Sequence, residues 1–172
     1  LIVLALLPQL LPRFYIYLLA VILVAGLLAT SLNVVLGFGG MFQFHHGVFY
    51  GFGAYTAALV VTKAGLSFWL GFTAAPLTAA LLGLVMGIIC IRLSKLYFGM
   101  LQISLGSLVW VVVFRWYDLT GGDDGIHGIP LPDIIYSTTG AYYFIFVVTS
   151  VCLLLMFLIA CSPFGRTFQA IR

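Results

Sequence analysis

The chain has 172 residues, of which 64% are hydrophobic and 6% charged, whereas a soluble domain carries about a quarter of its residues charged. With a mean hydropathy of +1.25 the solvent must be lipid, so the chain reads as an integral membrane protein. The net charge of +3 comes from basic residues scattered singly along the sequence; a nucleic-acid footprint needs them clustered on one face, so no nucleic-acid partner is expected.

In chain order, residues 1–7 read as the tail of a span whose beginning is missing. The opening LIVLALLP has neither the basic start nor the small-residue cleavage site of a signal peptide. Residues 14–36 form the first full apolar run, and residues 68–91, 97–116 and 141–161 form three more, each about 20 residues and long enough to cross as a helix. A fifth segment, residues 41–62, is uncharged but polar and glycine-rich at its start, and either crosses or re-enters. The expected fold is therefore an all-α polytopic bundle of five spans plus a remnant. Arg92 and Lys95 share one face with Arg166 and Arg172, against Arg13, Lys63 and Arg115 on the other. This balance places Arg92 and Lys95 in the cytoplasm.

Gly71, Ala75, Ala79, Gly83 and Gly87 recur at every fourth residue through one span. Helices in lipid have no hydrophobic drive to associate, so a ridge of small residues predicts a close helix–helix contact. Gly47 and Gly51 repeat the spacing in the neighbouring segment.

Catalytic chemistry finds little footing. His45 and His46 are adjacent, so on a helix they point about 100° apart and do not form an i,i+4 metal pair. His127 lies in a loop, and every carboxylate falls between Asp118 and Asp133, outside the spans. Ser104 and Ser107 have no base partner, and the loop DLTGGDDGIHGIPLPD lacks the alternating oxygen ligands of a calcium site. Cys90, Cys152 and Cys161 read as buried thiols. No catalytic residue, metal or cofactor is expected.

What remains are uncharged polar groups within the spans: Asn33, Gln43, His45, His46, Gln102, Ser104 and Ser107. Such groups are costly in hydrocarbon unless paired or facing a water-filled cavity. They gather at the junction of residues 14–36 and 41–62, where Gly37, Gly39 and Gly40 would break a helix, and in the first half of residues 97–116. Broken helices are a transporter's means of presenting backbone dipoles to a polar solute. Asn33, Gln43, His46, Gln102, Ser104 and Ser107 are accordingly assigned to a solute path.

Three motifs then resemble one family. SLNVVLGFGGMFQFHHGVFYGFGAYTAAL (residues 31–59) is similar to the LN-LLG-x-G, G-H and GAY pattern of branched-chain amino acid ABC transporter permeases. LYFGMLQISLGSLVW followed by DLTGGDDGIHGIP resembles the LivM-type permease rather than its LivH-type companion. SPFGRTFQAIR (residues 162–172) is similar to the family's SxFGRxxxAIR lead-in to the cytoplasmic coupling region. The chain departs from the pattern at Met41, His45, Gln102 and Ser107, all in stretches assigned to the path. The resemblance implies one transmembrane permease domain over residues 1–172, truncated at both ends and lacking the family's second half. It implies ATP-driven import of branched-chain (hydrophobic) amino acids across a bacterial or archaeal inner membrane by alternating access. The implied partners are a second, LivH-type permease subunit, two cytoplasmic ATP-binding subunits and a periplasmic solute-binding protein, all working at the lipid bilayer. Gly165, Arg166 and Arg172 are expected to couple the span to the ATPase, with Pro163 and Gly165 ending the helix and residues 164–172 turning onto the cytoplasmic surface. The alternatives are a permease for urea, amides or other amino acids, and a passive oligomeric channel.

Overall fold

The computed structural model describes residues 7–9, 11–41, 43–90, 92–93 and 95–170. Of the remnant expected at residues 1–7, only Leu7 lies among them, opening a 3-10 turn, Leu7–Gln9. The regular elements among the described residues are all helical: α1 (Arg13–Asn33), continued by a π-helical turn (Val34–Phe38), α2 (Gly47–Thr62), α3 (Phe68–Cys90), α4 (Lys95–Arg115), the short α5 (Tyr117–Thr120) and α6 (Asp133–Tyr136), α7 (Thr138–Cys161) and α8 (Pro163–Ala170). Four stretches have the length and apolarity to cross a membrane: Arg13–Phe38, Phe68–Cys90, Leu96–Arg115 and Thr138–Cys161. These match the four apolar runs of the sequence. The segment 41–62 differs. Its helix begins only at Gly47 and has 16 residues, a rise of about 24 Å against a hydrocarbon thickness of about 30 Å. The described residues ahead of it, 41 and 43–46, form non-helical chain.

The residues just ahead of α1 and α7 mark where these helices start. Extended Pro12 (φ −59°, ψ 154°) precedes α1. At α7 the Ser137 hydroxyl accepts the Gly140 N–H at 3.0 Å, satisfying a first-turn donor and starting the helix ahead of the apolar run.

The chain divides into two compact units. In the first, formed by α1 with its π-helical turn and by α6, α7 and α8, Ile16 and Ala20 at the start of α1 are buried with Tyr142 at the start of α7. The two long helices therefore run parallel. Tyr142 is 0% exposed and stacks on Phe146 with ring centroids 6.2 Å apart. Leu19, Leu23 and Ile145 close the cluster.

The second unit holds α2 to α5. Here α2 and α3 form a helical hairpin whose contact runs along the small-residue ridge. A methyl group built on Gly71 would lie 2.9 Å from Val61 Cγ2 and 3.0 Å from the Ala57 carbonyl; one on Gly53 would lie 3.4 Å from the Ala75 carbonyl and 3.7 Å from Ala79 Cβ. Gly83 faces Phe49 at 3.6 Å, while nothing lies within 4 Å of a methyl group at Gly87, Gly47 or Gly51. The residues that meet the ridge are thus Phe49, Gly53, Ala57 and Val61 of α2, on a different side from Gly47 and Gly51. Thr78 Oγ1 and Thr56 Oγ1, 3.0 Å apart, hydrogen-bond across the pair. On the far side of α3, Leu77, Leu81, Leu84 and Ile88 are exposed, as suits a helix side in contact with lipid.

The TGGDDG stretch is a set of tight turns at one end of this unit. Thr120 is buried, and its hydroxyl donates to the Val113 and Trp116 carbonyls and accepts the Gly122 N–H. Gly121 and Gly122 have φ of +75° and +56°, a region that side chains rarely adopt, and the Asp124 N–H donates to the Gly121 carbonyl at 3.1 Å. The Lys63 ammonium donates to the Asp118 carbonyl, tying the end of α2 to α5, which leads into these turns.

Candidate functional site

The site is built from the chain just before α2 and from one face of α4. The Val48 N–H donates to the His45 carbonyl at 3.1 Å and the Phe49 N–H to the His46 carbonyl at 3.3 Å, so the two histidines shape the turn that opens α2. Along α4, Gly99, Gln102 and Gly106 are buried while Val109 and Val113 are half-buried. Their spacing of three and four residues marks one helix face. A methyl group on Gly106 would overlap the edge of the His45 ring, 2.6 Å from Cγ and 3.0 Å from Cβ. The imidazole thus lies directly on the α4 backbone.

Beside it is a cavity of about 390 Å³ lined by Phe44, His45, Gly47, Val48, Gly51, Phe52, Tyr55, Val109, Trp110 and Val113. The walls are largely aliphatic and aromatic, with the His45 ring, the Tyr55 hydroxyl and the Trp110 indole N–H as their polar side-chain groups.

The assigned path residues are distributed unevenly. Gln102 is 8% exposed and lies one helical turn from Gly106 on the same face. His46 precedes α2, its ring edge-on to Phe49 at 6.1 Å, and Gln43 is half-buried in the chain ahead of it. Ser104 and Ser107 are exposed, and their hydroxyls donate to the Met100 and Ile103 carbonyls of their own helix at 3.2 and 2.9 Å. They sit about 200° and 140° around α4 from Gln102, away from the face that carries it. Asn33 ends α1 in the other unit, where its amide oxygen occupies the space beside Gly37, 2.6 Å from where a Cβ would stand. His45, Gly106 and Tyr55 were not among the assigned path residues. Gly106, four residues after Gln102, is the signal that could have identified the inner face of α4.

The stretch assigned to coupling differs from its expected form at one point. As expected, α7 ends at Cys161, and Ser162, ahead of Pro163, is extended (φ −70°, ψ 163°), but the chain re-enters a helix at once. Pro163 takes the first position of α8, which its ring favours, and Gly165 lies within that helix. Ser162 makes the turn: its hydroxyl donates to the Ile159 carbonyl at 2.6 Å and accepts the Gly165 N–H at 3.3 Å. A Cβ at Gly165 would stand 2.5 Å from the Ile159 carbonyl, so the tight turn requires glycine there. Arg166 is exposed and α8 packs against the π-helical turn Val34–Phe38. Arg172 lies outside the described residues.

The family described as "Branched-chain amino acid transport system / permease component" matches residues 14–172. Over 108 residues the chain is 36% identical to the high-affinity branched-chain amino acid transport system permease protein LivM of Escherichia coli (strain K12). It is 35% identical over 108 residues to the protein of the same name in Salmonella typhimurium (strain LT2). Each match takes in 63% of this chain and 25% of the relative, so the chain spans about a quarter of the length of these relatives. No solved structure matches it.

Proposed function

We propose that this chain, which belongs to the branched-chain amino acid transport system permease family, forms part of the membrane path of an importer for branched-chain, hydrophobic amino acids. In this reading it works by alternating access in a bacterial or archaeal inner membrane, as part of a single permease domain. A LivH-type permease pairs with it, two cytoplasmic subunits hydrolyse ATP, and a periplasmic binding protein delivers the solute. The chain itself carries out no covalent chemistry.

The observation that carries this reading is the cavity beside α4. Its walls of Phe44, Val48, Phe52, Val109 and Val113 offer an aliphatic side chain the apolar surroundings it prefers. Burying the side chain of a leucine or valine is worth about 1.5–3 kcal/mol. Urea or a small amide has no such group to bury, so the apolar lining favours the branched-chain solute.

The test is uptake of radiolabelled leucine into liposomes holding the full-length protein with its partner subunits, loaded inside with ATP or left empty, with binding protein outside. ATP-dependent uptake, competed by isoleucine and valine but not by urea, is the expected result. Uptake at equal rates without ATP would instead identify a passive channel, and competition by urea or amides alone would identify the other solute class.

A further inference from the structure

We infer that His45 is a solute-contacting residue and that Gly106 is the positioning residue that holds its ring at the wall of the cavity; this rests on the transport reading above. Three observations meet here. The imidazole lies on the α4 backbone where Gly106 has no side chain, and any Cβ there would overlap the ring. The same ring lines the cavity. No hydrogen bond engages its nitrogens among the described residues, although the residue is half-buried.

The two ring nitrogens give the arrangement its purpose. A neutral imidazole carries one donor and one acceptor, and leaving both unmet in apolar surroundings is costly. A side chain held by steric fit rather than by its own polar atoms keeps those atoms available. Valines and aromatic rings supply the rest of the wall, so His45 offers a polar partner to the charged head of a solute whose apolar side chain fills the remainder. Tyr55 and Trp110, on the same cavity, are further donors. Gly106 acts through His45 and touches no solute itself. Adjacent His46 stands apart in this assignment: it precedes the first turn of α2 and its ring meets Phe49.

The experiment compares Gly106→Ala, His45→Ala and the double variant in the full-length protein assembled with its partners. Assembly is measured by size-exclusion chromatography, and KM and Vmax by leucine uptake. Both single variants are expected to assemble and to raise KM about tenfold. The double variant is expected to be no worse than His45→Ala, because without the ring the added methyl group meets only the Cβ at position 45, 3.0 Å away, which a shift of a few tenths of an ångström relieves; contacting residues are non-additive in this way. If Gly106→Ala fails to assemble, the double variant should restore assembly. Multiplied effects in the double variant, or an unchanged KM in His45→Ala, would overturn the inference. A second readout is independent of transport: mass-spectrometric mapping of diethyl pyrocarbonate adducts should show a changed His45 modification rate in Gly106→Ala. Loss of leucine uptake in the unmodified complex would refute the transport reading, with the Gly106–His45 coupling still decided by the adduct rates. Equal adduct rates in both proteins would refute the coupling.

Discussion

Adding one methyl group at Gly71 and, separately, at Gly83 tests how the α2–α3 hairpin is held. At Gly71 the new Cβ would lie 2.9 Å from Val61 Cγ2 and 3.0 Å from the Ala57 carbonyl. Neither neighbour yields easily: the carbonyl is helical backbone, and a β-branched side chain on a helix has one strongly preferred χ1. The helices must separate by a few tenths of an ångström, and such overpacking costs about 1–3 kcal/mol. Replacing glycine by alanine within a helix returns about 1 kcal/mol, leaving a net loss of up to about 2 kcal/mol. At Gly83 the nearest atom is Phe49 Cε1 at 3.6 Å, an ordinary contact, so the helix-propensity gain of about 1 kcal/mol stands. The same substitution on the same ridge should therefore lower stability at Gly71 and raise it at Gly83. The assay is reversible denaturation of the purified full-length protein in mixed micelles, followed by circular dichroism. Changes of the same sign and size at both positions would show that distance from α2 is not what sets the cost.

Two further outcomes follow from the geometry. Gly165→Leu should insert normally yet lose transport while keeping basal ATP hydrolysis, because its side chain displaces the Ile159 carbonyl and opens the Ser162 turn; wild-type transport per inserted complex would remove this turn from coupling. Cysteines replacing His46 and Gln102 should react with small water-soluble thiol reagents in at least one nucleotide state of the complex, and protection of both in every state would make these side chains interhelical contacts rather than path lining.

The long helices were legible because lipid imposes a length, and α1, α3, α4 and α7 each meet it with a stretch of high mean hydropathy. Their starts shifted where a cap intervened, as at Ser137, whose hydroxyl begins α7 ahead of Ala141. The faces were harder to read. In a water-soluble helix the buried side announces itself by hydrophobic contrast, but in lipid both sides of α4 are apolar. Gln102, Ser104 and Ser107 therefore looked alike in sequence, although one is buried and two donate to carbonyls of their own helix.

Glycine carries the information that hydrophobicity loses in lipid, and it carries more than one kind. On α3 the four-residue repeat marks a contact, since Gly71 meets Ala57 and Val61 at close range. On α2 the same spacing at Gly47 and Gly51 marks a cavity wall, and the close contact comes instead from Gly53, about 200° around the helix from Gly51. At Gly165 a proline–glycine stretch that reads as a helix end is also a helix start, because Ser162 supplies the cap and glycine makes room for the last carbonyls of the span before it. Spacing alone does not separate these roles; what faces the glycine does. Gly106 completes the series: the space of its absent side chain is filled by the ring of His45. The two positions, His45 ahead of α2 and Gly106 on α4, therefore form one feature beside the cavity.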